Sequence, residues 1–247
     1  MNLRPSQASL LVSRLHKSIK SHRDIEVVLA PSMLVLQPLS LQIDRRRFRL
    51  AAQDAYPIDE GAYTGEVSFA MLRDLVHYAI VGHSERRIYF GEELGLIRDK
   101  VTAAVRNEIT PILCVGETSR ERRASETKQV LHDQIVTAIS NLTADEVENL
   151  VIAYEPVWAI STFGGELAKP DQIEPIIGYI RSQVGDLYGK KASKQVRVLY
   201  GGSVDEHIVS GYLQMKGCDG ALVGNASLNY QKFANIVEAA YKHDRKE

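Results

Sequence analysis

The sequence has few of the features that mark specialised protein classes. Its 247 residues include only two cysteines, Cys114 and Cys218, whose wide separation does not suggest a disulfide framework. The 30 basic and 31 acidic residues nearly balance, so nothing indicates binding to nucleic acid or to a membrane surface. No apolar run approaches the roughly 18 residues of a membrane-spanning helix. We therefore expect a cytoplasmic protein whose thiols are reduced and packed as small apolar side chains.

The chain also lacks a linker, a low-complexity segment and a break in composition. Hydrophobic residues make up 45% of it, which is enough for a large core, and α/β barrels of this length are routinely one domain. We predict a single domain over residues 1–247.

Residues 1–23 allow two interpretations. They are amphipathic, rich in Ser and Arg, and free of acidic residues before Asp24, which are traits of a transit peptide. Leu10, Leu11, Leu15 and Ile19 also fit the buried face of a surface helix. We favour the helix because a predicted strand follows it directly.

Seven short apolar segments alternate with helical ones along the rest of the chain. The predicted strands span residues 24–32, 47–55, 78–84, 110–117, 149–156, 196–203 and 220–227. The predicted helices include residues 98–107, 120–139 and 171–184, and a short one after the capping-box spacing at 143–146. This alternation predicts parallel strands covered by helices. Seven strands suit an open doubly wound sheet, whereas a closed (β/α) barrel needs eight, so the count leaves both architectures open.

Titratable residues stand at the ends of two predicted strands. His83 follows the apolar "AIVG" and precedes Ser84, which we expect to cap a short helix. Glu155 follows "VIAY" and precedes Pro156 and the only tryptophan, Trp158. A helix N-terminus disfavours a charged imidazole at His83. Either residue alone is more often structural than functional.

The last two predicted strands end in small residues, "YGGS" at 200–203 and "VGNAS" at 223–227. Such turns expose backbone N–H groups that bind anions such as phosphate, although ordinary strand-to-helix turns look the same. There is no Walker loop or dinucleotide fingerprint, so we expect no nucleotide. The histidines show no metal-ligand spacing, so we expect no metal.

Five segments together resemble the triosephosphate isomerase family, in order and at matching separations. They are "VGHSERR" (81–87), "TPILCVGE" (110–117), "AYEPVWAI" (153–160), "VLYGGSV" (198–204) and "GALVGNASL" (220–228). The resemblance implies an α/β fold, the (β/α)8 TIM barrel, and a cofactor-independent enzyme acting on a small phosphorylated triose. Another phosphate-binding barrel enzyme is disfavoured by "HSERR" and "EPVWAI".

The resemblance also implies roles for individual residues. Glu155 would be the general base, and neutral His83 would polarise the substrate carbonyl, as in the mechanism for which the family is a standard example. Residues 156–158 would form the N-terminal hinge of a lid. The residues that hold the catalytic side chains in position would be Glu85, Arg86 and Glu92. The phosphate would be bound by the backbone N–H groups of Ser161, Ser203, Gly224 and Asn225.

The start of the chain departs from the family pattern. The family begins with a strand that ends in Gly-Asn-Trp-Lys-Met-Asn, whose Asn and Lys contact substrate, whereas this chain begins "MN". We therefore expect the first strand and that lysine to be absent, through a misassigned start or a real truncation. Loss of the cation predicts about 10²–10³-fold lower activity. A non-catalytic phosphate-binding relative remains the alternative.

Two further departures concern the lid and the last phosphate turn. Residues 161–163 read Ser-Thr-Phe where the family prefers Gly-Thr-Gly. A positive φ at Phe163 would cost about 1–2 kcal/mol, unless Gly164 or Gly165 takes up the bend. Asn225 replaces a commoner glycine, with little expected effect.

The resemblance finally implies a homodimer. Residues 52–68 look like the family's long third loop. In the family, the part of this loop that matches Tyr63–Glu66 inserts into a second subunit. The partner's docking surface includes the absent first strand, so the alternatives are a weakened dimer and a monomer.

Overall fold

A computed structural model describes residues 2–20, 24–163, 165 and 167–244. In these described residues, seven parallel strands form one sheet, and their order in the sheet is their order in the chain. The strands are β1 Val28–Leu29, β2 Arg49–Ala52, β3 Tyr78–Val81, β4 Thr110–Val115, β5 Val151–Tyr154, β6 Arg197–Tyr200 and β7 Gly220–Ala221. Each lies inside a predicted segment, so all seven strand predictions are confirmed.

The strand order distinguishes the two architectures that the sequence left open. A doubly wound sheet reverses its order at a switch point, whereas here every strand pairs with its neighbour in the chain. Alternate residues of the strands also pack into one apolar cluster, separate from the larger core beneath the helices. The cluster contains Ala51, Tyr78, Ile80, Ile112, Cys114, Val151 and Ala153, with Val28 and Leu199 packed against it. A sheet whose inner face packs on itself in this way is curled as in a (β/α) barrel.

The described residues leave the two outer strands less paired than the rest. β1 pairs only with β2 and β7 only with β6, and no described pairing joins β1 to β7. Both strands are two residues long, whereas the central β4 spans six. The best-paired part of the sheet therefore lies around β3 to β5, the strands that lead to His83 and Glu155.

Helices cover the outer face of the sheet. They are α1 Pro5–Ser18, α2 Met33–Gln42, α3 Phe69–Leu72, α4 Ser84–Tyr89, α5 Leu94–Arg106, α6 Ser119–Arg123, α7 Thr127–Ile139, α8 Ala144–Glu148, α9 Pro170–Gln195, α10 Val209–Leu213 and α11 Tyr230–Asp244. Among the described residues, no helix is both long and apolar enough to cross a membrane.

The helix predictions are confirmed in place but not in every boundary. The helix predicted over residues 120–139 is two helices, α6 and α7, separated at Ser125, which has a φ of 62°. The helix predicted over 171–184 extends to Gln195, with a break at Gly189. The short helix after 143–146 has the predicted capping box, in which Thr143 and Glu146 bond each other's backbone N–H groups.

The amino-terminal segment forms the surface helix that we favoured. Helix α1 buries Ala8, Val12 and Leu15, and Ile19 just beyond its end is also buried. The prediction that Leu10 lies on the buried face is wrong, since Leu10 is 52% exposed. Ala8, Val12, Leu15 and Ile19 follow the spacing of one helix face, and Leu10 lies off it.

The two cysteines are free, as the sequence predicts. Cys114 is buried in the barrel interior. Cys218 packs against the main core and donates to the carbonyl of Gly220, but it is only half-buried.

The central strands should tolerate truncation poorly. Leu113 in β4 is fully buried, and Leu113→Ala should lower the free energy of unfolding by about 2–5 kcal/mol, because it leaves a cavity that its neighbours fill only partly. Urea denaturation measures the change. Leu41→Ala is the control, because Leu41 on α2 is 85% exposed and its truncation should cost less than about 0.5 kcal/mol. Similar losses for the two variants would contradict the described packing.

Candidate active site

The Glu155 carboxylate is held between two groups at the start of α4. Its Oε1 lies 2.9 Å from Nε2 of His83, and its Oε2 accepts a 3.0 Å hydrogen bond from the backbone N–H of Ser84. The side chain is 3% exposed. The ends of β3 and β5 thus bring His83 and Glu155, 72 residues apart in sequence, to one point at the carboxyl end of the sheet.

Two glycines make room for Glu155. A Cβ on Gly116 would lie 1.7 Å from the carbonyl oxygen of Glu155, and one on Gly201 would lie 2.9 Å from its Cγ. The backbone contact excludes any side chain at position 116, and a side chain at position 201 would have to displace the Glu155 side chain. The first glycine of "YGGS" therefore serves the close packing of Glu155, a reason that differs from the anion approach we inferred from the sequence.

The hydrogen bonds of His83 fix its tautomer. His83 itself is the N-cap of α4, and its Nδ1 accepts from the backbone N–H of Glu85 at 3.2 Å. In a neutral ring the proton must then sit on Nε2, which faces Glu155. Our expectation that Ser84 caps this helix is wrong by one residue, because the imidazole already provides the acceptor.

The charge of His83 depends on Glu155. Burial lowers the pKa of His83, but the hydrogen bond and charge of Glu155, helped by Glu85, outweigh it, so the pKa lies above 6.5. If the carboxylate turned away, burial and the N–H donor at Nδ1 would remain, and both favour the neutral ring.

Two of the three residues predicted to support the site, Arg86 and Glu92, belong to an ion-pair network. Arg86 binds Glu92 and Asp54, and Lys100 binds the same two carboxylates. Burial raises the pKa of Asp54, against the lowering effect of Lys100. Asp54 and Lys100 were not predicted from the sequence, because no local pattern distinguishes them from other charged residues of a loop or a helix. Glu85 has an exposed side chain and contributes through its backbone N–H.

A second buried carboxylate anchors the segment after Glu155. Glu117 accepts hydrogen bonds from Trp158 Nε1 at 2.8 Å and from the Tyr154 hydroxyl at 3.0 Å. Its backbone carbonyl also accepts from the N–H of Val157 at 3.0 Å. Burial raises the pKa of Glu117, although these donors oppose the shift. The single tryptophan is therefore fixed at the base of the predicted lid. Glu117 is the last residue of "TPILCVGE", but its contact with Trp158 was not predicted from the sequence.

The predicted phosphate residues lie next to the lid segment. Ser203 donates from its backbone N–H and its hydroxyl to the carbonyl of Ala159, at 3.3 and 2.8 Å. Asn225 Nδ2 donates to the hydroxyl of Ser161 at 3.2 Å. Gly224 has open space where a Cβ would point. The turns after β6 and β7 therefore both contact the segment that follows Glu155.

The lid tip avoids the strain considered for Phe163. Among the described residues other than glycine, only Glu108 and Ser125 have positive φ, so Phe163 does not. Gly165 takes the bend with a φ of 66°, while Gly164 lies outside the described residues. Asn225 and Ser161, both departures from the family pattern, bond each other.

The His83–Glu155 pair should make stability depend on pH. Because the pKa of folded His83 is raised, the pair's contribution to the free energy of unfolding is complete below about pH 6.5 and is lost as pH rises through the raised value. The loss of stability in Glu155→Gln, measured by urea denaturation, should therefore be larger at pH 6 than at pH 9. In a His83→Gln background, the same substitution should show no such trend between pH 6 and pH 9. A loss that is constant or grows with pH in the wild-type background would contradict the pairing.

Known proteins resemble this chain along almost its whole length. The sequence model of the triosephosphate isomerase family matches residues 1–240. The triosephosphate isomerases of Syntrophotalea carbinolica and Geotalea uraniireducens are each 43% identical to this chain, over 94% of it and 92% of their own length. That of Carboxydothermus hydrogenoformans is 41% identical over 96% of this chain and 94% of its own. This chain belongs to the triosephosphate isomerase family.

Proposed function

We propose that this chain interconverts dihydroxyacetone phosphate and D-glyceraldehyde 3-phosphate without a cofactor. The observation that carries the proposal is the convergence of Glu155 and His83 at 2.9 Å, beside the turns after β6 and β7. The names of relatives at 41–43% identity support it. No observation favours the non-catalytic alternative.

Glu155 is the proposed general base. In the structure its two oxygens are satisfied by His83 and Ser84. To act, the carboxylate leaves these partners, removes a proton from the carbon next to the substrate carbonyl, and returns it to the neighbouring carbon. Burial keeps water away from the carboxylate, which strengthens it as a base toward carbon.

His83 is the proposed electrophile. Its Nε2–H points into the site, because Nδ1 is occupied by the N–H of Glu85. Once Glu155 has moved to the substrate, the same N–H can donate to the carbonyl oxygen and stabilise the negative charge that develops on it. A neutral imidazole can also carry a proton between the two substrate oxygens.

The phosphate would bind at the turns after β6 and β7 and at the lid tip. The proposed donors are the backbone N–H groups of Ser161, Ser203, Gly224 and Asn225. The N–H of Ser203 bonds the lid carbonyl of Ala159 in this structure, so phosphate binding and a change in the lid are coupled. We propose that the lid closes over bound substrate and shields the enediolate from water.

The expected setting follows from the reaction. We propose that the enzyme acts in the cytoplasm, in glycolysis and gluconeogenesis, as one domain spanning residues 1–247.

Glu155→Gln tests the proposed chemistry. The amide cannot accept the proton, so kcat should fall by about 10²–10⁴-fold, while 2-phosphoglycolate should still bind. A dehydrogenase-coupled assay gives kcat, and NMR in D₂O reports exchange of the carbon-bound proton directly.

Glu148→Gln is the matched control. It removes a carboxylate of α8 that pairs with Lys191 outside the site, and kcat should remain within twofold of wild type. Equal rates for Glu155→Gln and wild type would remove Glu155 from the mechanism, and an inactive wild type would remove the proposed function.

We also propose a homodimer formed through the loop around Tyr63–Glu66. The loop tip is exposed, and Tyr63 lies against Tyr56 with ring centroids 4.7 Å apart. A cavity of about 280 Å³ beside it is lined by Tyr56, Tyr63 and Met71 among others. Ile58 and Met71 are 42% and 64% exposed, and an apolar surface of this kind favours association.

Thr64→Arg tests the dimer. Thr64 is exposed, so a long cation there should block docking without disturbing the fold. Sedimentation velocity at micromolar concentration should show a dimer for wild type and a monomer for the variant. Ala124→Arg, at an exposed residue after α6, should leave the dimer intact. A monomeric wild type, or a Thr64→Arg dimer of unchanged affinity, would contradict this interface.

A further inference from the structure

An aromatic contact joins the lid tip to the helix that carries His83. The ring centroids of Phe163 and Tyr89 are 5.7 Å apart, and their planes are inclined by 32°. Tyr89 is the last residue of α4, whose N-cap is His83. Stacked or tilted aromatic pairs at this distance attract each other beyond their burial of apolar area.

Both partners are held in place by their surroundings. The backbone N–H groups of Phe163 and Gly165 both donate to the carbonyl of Ile160, at 2.9 and 3.1 Å, which makes a tight turn that presents the Phe163 ring. The end of α4 is fixed by Arg86, which pairs with buried Glu92 and lies over the ring of Phe90 at 4.6 Å. Tyr89 therefore meets the lid from an anchored helix.

The state of the site shows which conformation this contact accompanies. Glu155 is bound to Ser84 and His83, and the N–H of Ser203 is bound to Ala159. The groups that would contact substrate thus bond to one another. The Phe163–Tyr89 contact occurs together with this self-paired arrangement, which we call the resting arrangement.

We propose that Phe163 and Tyr89 form a latch that holds the lid in the resting arrangement, and so act as positioning residues for substrate binding. The proposal rests on the proposed function, because an effect on ligand binding presupposes that the chain binds a triose phosphate. The Phe163–Tyr89 contact itself is observed independently of that function. If the contact is made only in the resting arrangement, it stabilises that arrangement relative to the ligand-binding one. The fraction of molecules in the ligand-binding arrangement then falls, and the apparent affinity falls by the same factor as this fraction. For one aromatic pair the factor is about two- to tenfold.

Removing either ring should therefore strengthen ligand binding. Tyr89→Ala and Phe163→Ala should each lower the Kd for 2-phosphoglycolate and the KM for substrate by about two- to tenfold, with a much smaller change in kcat. The double variant should bind no more tightly than either single variant, because both remove the same contact. Tyr89→Phe keeps the ring and should restore the wild-type Kd.

Trp158 gives a readout that does not need turnover. It is the only tryptophan and lies at the lid base with 4% exposure. Measured without ligand, its emission should shift from the wild-type value by the same amount in Tyr89→Ala, in Phe163→Ala and in the double variant. The emission of Tyr89→Phe should match that of wild type. Leu187→Ala, in the C-terminal half of α9 and 48% exposed, should change neither emission nor Kd.

The outcomes separate the latch from the proposed function. An inactive wild type that fails to bind 2-phosphoglycolate overturns the proposed function, while the Trp158 cycle still tests the latch. Additive effects in the double variant, unchanged emission and Kd, or weaker binding in both single variants would each overturn the latch.

Discussion

The position of Glu155 is the constraint on which the rest of the site depends. A carboxylate at 3% exposure is costly unless its charge is compensated, and here the compensation comes from the Ser84 N–H and the His83 ring. Both partners lie at the start of one short helix. The barrel brings that helix next to the end of β5, so the same geometry that satisfies Glu155 places it beside an imidazole.

The surroundings of Glu155 follow from this placement. Gly116 and Gly201 leave the space that its backbone and Cγ occupy. The next buried carboxylate, Glu117, fixes Trp158 only three residues beyond Glu155. Glu155 is therefore attached to a paired strand on one side and, on the other, to a segment that Glu117 anchors. In the proposed mechanism, Glu155 would leave His83 and Ser84 through a movement of that segment.

The sequence predicts the architecture well because its main signal is local. Apolar runs that end in small or charged residues identified all seven strands, and the Thr143 capping box was confirmed. Helix boundaries were less accurate where one residue changes the path, as at Ser125 and Gly189. The capping role of His83 could not be predicted, because hydroxyl side chains are the usual N-caps. The Asp54–Lys100 and Phe163–Tyr89 contacts join distant segments, and no local pattern encodes them.

In the proposed mechanism His83 meets the substrate as a neutral ring with its proton on Nε2. Nitrogen-15 NMR of the His83 ring, across pH with and without 2-phosphoglycolate, tests it most directly. We expect the Nε2–H tautomer at pH values above the pKa of His83 in the free protein. We expect a lower pKa of His83 when 2-phosphoglycolate draws Glu155 away. An Nδ1–H tautomer, or an imidazolium that persists in the complex near pH 7, would contradict it.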